Sequence, residues 1–193
     1  MDEKDANDNL TGKRVTTSDY ASANYYYVNK SSLPKVYGGF NTSLSWKGFD
    51  LSAIFAYSIG GYIYNRDITM ILHNGSLEGR DWSTEILKRW TPENRYTDVP
   101  ALSTTSNNWN SASTRFLQNN SYMRLKNLTL SYDLPKQWIS KLALSSVQVF
   151  VQGDNLFTIH RNQGLDPEQG ITGITYYRYP AMRTISGGIN VSF

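Results

Sequence analysis

The stretch that decides the fold runs from Val36 to Ile59 and reads VYGGFNTSLSWKGFDLSAIFAYSI. Its large apolar residues occupy alternate positions, which are even up to Trp46 and mostly odd from Phe49 onwards. Alternation with a period of two is the pattern of a β-strand that has one apolar and one polar face. Only Lys47 and Gly48 separate the two runs, and so short a connection predicts an antiparallel hairpin.

The same alternation returns three times closer to the C-terminus. It occurs in SYMRLKNLTLSYDLP (121–135), SSVQVFVQGDNLFTI (145–159) and RTISGGINVSF (183–193). In the first of these segments the apolar positions change parity after Leu125, so we expect a β-bulge near Lys126 and Asn127. Together with the hairpin, the pattern predicts five strands, at about residues 37–47, 49–64, 120–134, 145–159 and 179–193.

The connections between these strands alternate between short and long. The short ones are 47–48 and 135–144, and PKQWISKLAL in the latter favours a short helix. The long ones are 65–119 and 160–178, and the first contains STEILKRW, a helical candidate with Ser83 as its N-cap. Outer-membrane β-barrels distribute their turns in this way, with short periplasmic turns and long extracellular loops. We therefore predict two regions, an external loop with a strand remnant (1–36) and barrel strands with two external loops (37–193).

The composition excludes several classes of function. The 193 residues include no cysteine, so disulfides and thiolate metal sites are absent. A formal net charge of +3 without any run of Lys or Arg does not indicate a nucleic-acid partner. The first residues, MDEKDANDNL, are acidic and polar, unlike a secretory signal peptide. No apolar stretch approaches the roughly 18 residues of a membrane-spanning helix.

Several motifs resemble one known family in their order and spacing. Besides the hairpin and the strand segments, these are RWTPEN (89–94), GLDPE (164–168) and RYPAMRTISGGINVSF (178–193). They are similar to the C-terminal part of SusC/RagA-type TonB-linked outer-membrane transporters, and the resemblance covers nearly the whole chain.

The resemblance implies an all-β fold, an antiparallel meander that supplies the C-terminal strands of a 22-stranded transmembrane barrel in the bacterial outer membrane. It implies uptake of glycans or peptides together with a SusD-like lipoprotein, which contacts the external loops. TonB would contact only an N-terminal part that this chain lacks. We expect a fragment that cannot transport alone, because an open sheet edge leaves backbone groups unpaired in lipid.

The sequence offers candidate functional residues in two places. The alternation of Ile189, Val191 and Phe193 at the chain end is similar to the signal by which barrel-assembly machinery recognises its clients. In the external loops, five aromatic side chains are candidates for ligand or partner contacts, or alternatively for anchors of the loops themselves. These are Trp82, Trp90, Trp109, Tyr176 and Tyr177.

The sequence contains no convergent set of acid and base residues, so we expect no enzyme activity, metal or cofactor. Asp166 and Pro167 of GLDPE favour a turn over an acidic site. A different class remains open, a soluble β-sandwich that acts as a carbohydrate-binding or adhesin-like module. Ile54 and Phe150, which lie on mostly polar parities, argue for that alternative.

Overall fold

The structure is a computed structural model that describes residues 2–17, 19–73, 75, 77, 79–103, 108–140, 144–168 and 170–193. The chain packs as two compact units. Unit 1 comprises residues 1–30 and 65–117, and unit 2 comprises residues 31–64 and 118–193. The sequence predicts a boundary near residue 36 and an external loop over 65–119 that contains a helical candidate. In the structure, most of that loop shares unit 1 with residues 1–30.

Strands make up most of the regular secondary structure among the described residues. In chain order these are β1 (Asp2–Lys4), β2 (Leu10–Arg14), β3 (Val36–Trp46), β4 (Phe49–Ile59), β5 (Tyr62–Asn65), β6 (Leu117–Asn119), β7 (Tyr122–Asp133), β8 (Ser146–His160), β9 (Ile174–Thr175) and β10 (Thr184–Ser192). The helices are α1 (Arg66–Ile71), α2 (Lys136–Ile139) and three short 3₁₀ segments, Thr84–Lys88, Asn108–Asn110 and Thr114–Phe116. No helix among the described residues is long and apolar enough to span a membrane.

Unit 2 is built on a five-stranded sheet of order β10-β8-β7-β4-β3. Every neighbouring pair in it is antiparallel, which confirms the predicted meander. The first hairpin closes between Trp46 and Phe49. Lys47 and Gly48 have φ angles of 49° and 87°, as the two central residues of a type I′ turn require.

The predicted strand 49–64 is two elements in the structure. β4 ends at Ile59, and β5 belongs to a separate three-stranded sheet of order β6-β5-β9. Gly60, at a φ of 93°, redirects the chain between them, because only glycine adopts this backbone conformation without strain. The last strand also begins later than predicted, at Thr184 instead of residue 179.

The predicted β-bulge is confirmed at Lys126. On β4, Ile54 pairs with Asn127 and the next residue, Phe55, pairs with Leu125. Lys126 therefore has no partner residue on β4. The extra residue restores the alternation, because it lets Leu125 and Leu128 lie on one face although they are three positions apart. On the other face it places Arg124 in line with Asn127.

The register sorts the side chains of the sheet into one apolar and one polar face. One cross-strand row of the apolar face consists of Leu44, Leu51, Leu130, Val151 and Gly187, and the neighbouring row on the polar face consists of Ser43, Ser52, Thr129, Gln152 and Ser186. The apolar side chains are accessible: Leu44 is 67% exposed and Ile185 is 73% exposed. A sandwich would bury this face against a second sheet, and the exposure argues against that alternative.

The two apolar residues of the polar parity differ in their surroundings. Phe150 lies opposite Gly188, where a Cβ atom would approach the Phe150 ring to 2.8 Å. The missing side chain therefore makes room for the ring. Ile54 stays 47% exposed between Asn41 and Asn127. Neither residue joins a second apolar core.

Unit 1 has few regular elements and a small core. β1 and β2 form an antiparallel pair, and Asn65 caps α1 by accepting a hydrogen bond from the Ile68 amide. The predicted helix after Ser83 is a 3₁₀ helix, and the Ser83 hydroxyl caps it by accepting from the Glu85 amide. The buried side chains of this unit include Leu72, His73, Ile86, Val99 and Phe116.

The predicted helical connection 135–144 is only partly helical. It contains α2, which spans four residues after Pro135. Residues 141–143 of the prediction, including Leu142, lie outside the described residues.

Candidate functional site

A buried arginine on the polar face of unit 2 organises the candidate site. β7 carries Arg124, and its side chain is only 3% exposed. Its guanidinium donates from Nε to the Thr158 hydroxyl at 2.9 Å, from Nη1 to Glu168 Oε2 at 2.9 Å and from Nη2 to Asp166 Oδ1 at 2.5 Å. A buried charge is costly unless it is paired and hydrogen-bonded, and here each guanidinium nitrogen has an acceptor.

The acidic partners come from the GLDPE segment. Asp166 Oδ1 accepts from the Glu168 amide at 2.9 Å, which confirms the predicted turn, and Oδ2 accepts from the Ala181 amide at 2.6 Å. Glu168 also accepts from Lys126 Nζ at 2.5 Å. Two cations on β7 thus hold two carboxylates of one loop, and their charges cancel.

This environment favours the ionised form of Asp166. Burial alone would raise the pKa of its carboxyl group, but the amides of Ala181 and Glu168 and the guanidinium of Arg124 outweigh burial and lower the pKa. Asp166 is therefore a permanent anion at neutral pH, and it serves as a fixed anchor for the loop.

A cavity of about 490 Å³ lies beside this ion-pair network. Its polar lining includes Arg124, Asn155, Thr158, His160, Asp166, Arg178 and Arg183, and its apolar lining includes Phe157, Leu165, Pro167 and Pro180. No group of three or more potential metal ligands occurs among the described residues. The arrangement suits the binding of a polar or anionic group.

The five predicted aromatic residues are divided between the two units. Tyr176 and Tyr177 lie in unit 2 with their ring centroids 4.2 Å apart. The three tryptophans lie in unit 1: Trp82 packs edge-on against His73 at 5.2 Å, and Arg115 lies 4.9 Å above the ring of Trp109. Trp90 is bound through its backbone amide to Val99. Their role in ligand or partner contacts stays a prediction.

Two of the predicted assembly residues, Ile189 and Val191, lie on the last strand, and Phe193 follows its end. Ile189 and Val191 face Val149 and Val147 on β8, on the same face as Leu44 and Leu130. All three residues of the predicted signal, Phe193 included, are exposed. Their recognition by assembly machinery stays a prediction.

Sequence reasoning missed the ion-pair network. The only signal was the presence of Arg124 and Lys126 in a strand whose one other charged residue is Asp133, together with an acidic pair in GLDPE. Arg124 and Asp166 are 42 residues apart in the sequence, and no local sequence pattern indicates that they form a pair. Only the chain path that returns the loop to β7 does so.

Comparison with known proteins gives a consistent family. No protein-family model matches the chain. It is 33% identical over 166 residues to the TonB-dependent receptor P3 of Formosa agariphila, covering 80% of this chain and 16% of that protein. It is 27% identical to the TonB-dependent receptor SusC of Bacteroides thetaiotaomicron, covering 86% of this chain and 16% of SusC.

Solved structures agree with these relatives. The RagAB peptide importer in its closed-closed state superposes with a TM-score of 0.80 at 34% identity, covering 99% of this chain and 20% of the matched chain. The chain thus spans about a sixth to a fifth of the length of the proteins it matches.

Proposed function

We propose that this chain, whose homologues are TonB-dependent receptors of the SusC and RagA type, forms part of the wall of an outer-membrane importer. The observation that carries the proposal is the exposed apolar face of the five-stranded sheet. A sheet in water keeps such a face covered, whereas a sheet in a bilayer turns it towards lipid. The polar face, with its ion pairs and cavity, then lines the interior.

Similarity to the relatives supports our proposal for the substrate and the partners. The whole importer takes up peptides or glycans, in line with the similarity to the RagAB peptide importer and to SusC. A SusD-like lipoprotein meets the external loops 65–119 and 160–178, and TonB acts on a part of the importer outside this chain. Ile189, Val191 and Phe193 provide the assembly signal, and the chain contributes wall and loops without catalysis.

A pair of neighbouring residues tests which face meets lipid. The chain has no cysteine, so Leu44→Cys and Ser43→Cys each introduce a single site for an environment-sensitive fluorophore. The protein is refolded in micelles of a brominated detergent, which quenches fluorophores in contact with its acyl chains. We expect strong quenching at position 44 and weak quenching at position 43. Equal quenching at both positions would rule out a lipid-facing apolar face.

A chimera tests the contribution to import. The matched segment of the RagAB importer, which is 34% identical, is replaced by this chain, and peptide uptake by cells is measured. We expect the chimera to assemble in the outer membrane and to retain uptake. The chain expressed alone with a signal peptide serves as the control, and robust uptake by it would contradict its role as one part of a larger wall.

A further inference from the structure

The cavity in unit 2 has a surplus of positive charge. Arg124 and Lys126 are matched by Asp166 and Glu168, so the ion-pair network contributes no net charge. The lining also contains Arg178 and Arg183. Neither of these two guanidinium groups forms an ion pair with any residue that the structure describes. Among the described residues of the lining, Asp166 is the one that is acidic, and its oxygens already accept from Arg124, Glu168 and Ala181.

The segment that carries the two arginines is fixed between them. The Ala181 amide donates to Asp166 Oδ2 at 2.6 Å, and the next carbonyl, that of Met182, accepts from Asn155 Nδ2 at 3.1 Å. Asp166 is itself held by the buried Arg124. The backbone between residues 178 and 183 is therefore tied to β8 and to the GLDPE turn before any ligand binds, which reduces the entropy lost on binding.

The surroundings strengthen a charge interaction at this place. Leu165, Pro167 and Pro180 give the cavity apolar walls. Apolar walls lower the local dielectric, and ion pairs are stronger there than in open water. A guanidinium presents parallel N–H donors that match the two oxygens of a carboxylate.

We propose that the cavity is a binding subsite for the carboxylate of an imported ligand, with Arg178 and Arg183 as its cationic contacts and Leu165 and Pro180 as the surface for the adjoining apolar part. The physiological meaning of the subsite rests on the proposed importer function, whereas binding itself does not. Two ligand classes share this chemistry, because a peptide has a C-terminal carboxylate and an acidic glycan has uronate carboxylates.

Paired probes test the subsite with the full chain refolded in detergent micelles. One pair is N-acetyl-Ala-Phe with a free C-terminus and the same dipeptide as its amide, and the other is trigalacturonate and its methyl ester. Binding is followed by titration calorimetry at low and high salt. We expect at least one free acid to bind about tenfold more tightly than its neutral counterpart, in line with a charge-assisted hydrogen bond, and to weaken with added salt.

The variants assign the effect to the two arginines. Arg178→Gln and Arg183→Gln should each remove most of the preference for the acid, and Arg183→Lys should retain part of it because the charge remains. Arg161→Gln is the matched control, since Arg161 is an exposed residue of the same loop that does not line the cavity. Circular dichroism of each variant verifies the strand content.

The possible results separate the ligand classes and the two proposals. A preference for the free dipeptide identifies a peptide subsite, and a preference for trigalacturonate identifies a glycan subsite. Equal binding of acid and neutral probes, no saturable binding up to about 10 mM, or a loss in Arg161→Gln equal to that in Arg183→Gln would overturn the subsite. If the fluorophore at position 44 is quenched in the same preparation, such a result leaves the membrane-wall function standing.

Discussion

At the scale of single residues, the ion pair between Arg124 and Asp166 ties the GLDPE turn and the segment around Ala181 to β7. Asp166→Asn removes the carboxylate while the arginine stays buried. Loss of one partner of a buried pair typically costs about 3–5 kcal/mol, and we expect about 3 kcal/mol because Glu168 still binds Arg124. Urea unfolding in detergent micelles measures the free energy of unfolding.

The control for this variant is the same substitution at a surface pair. Asp98 lies 3.7 Å from Arg115 and its side chain is 90% exposed. Exposed ion pairs contribute about 0–1 kcal/mol, so Asp98→Asn should change the free energy of unfolding little. A similar loss in both variants would mean that the buried ion pair stabilises the fold no more than a surface ion pair does.

The lowered pKa of Asp166 predicts a pH dependence with a definite sign. The unfolded chain binds a proton at Asp166 more readily than the folded protein does, so protonation favours unfolding. The contribution of Asp166 is complete above its unfolded pKa and is lost as the pH falls below about 4. The difference in unfolding free energy between the unsubstituted protein and Asp166→Asn should be constant from neutral pH to about pH 5. Below that range it should shrink, and a difference that grows on acidification would contradict the assigned pKa shift.

At the scale of the strands, the two adjacent glycines of β10 are predicted to differ. A Cβ atom at Gly188 would lie 2.8 Å from the Phe150 ring, whereas at Gly187 its nearest neighbour would be the Phe150 carbonyl oxygen at 3.4 Å. Gly188→Ala should therefore cost about 1–3 kcal/mol through overpacking, and Gly187→Ala should cost less than about 1 kcal/mol. Unfolding in detergent micelles compares the two, and the double variant Gly188→Ala, Phe150→Leu should recover part of the loss. Equal effects at both glycines would show that the ring does not need the space.

The bulge and the turn show how well strand-scale features follow from sequence. Lys47 and Gly48 specify a two-residue turn by local backbone preference, and the parity change after Leu125 indicates an extra residue. Both signals are local. The break of the predicted strand 49–64 at Gly60 was missed because the apolar parity continues through Ile63, and what ends β4 is the pairing of β5 with β6 and β9.

At the scale of the whole molecule, the division of the sheet into two faces predicts that one charge has different effects at neighbouring positions. Leu44→Arg puts a cation on the apolar face, and in a lipid or detergent environment this should cost about 2 kcal/mol of folding free energy. Ser43→Arg puts the same charge on the polar face and should be nearly neutral. Guanidinium unfolding in phospholipid micelles measures both, and a larger loss at position 43 would reverse the assignment of the faces.

The sequence alone determined the five main strands apart from some of their ends, the first hairpin, the bulge and the two faces of the sheet. These features depend on alternation and on turn chemistry, which act over a few residues, and the family motifs depend on order and spacing along the chain. The tertiary structure alone decided that Arg124 meets Asp166, that β5 leaves the main sheet, and that Arg178 and Arg183 line one cavity. Such contacts join residues that are far apart along the chain, and no local preference encodes them, because they exist only once the strands have paired and the loop has returned to the sheet.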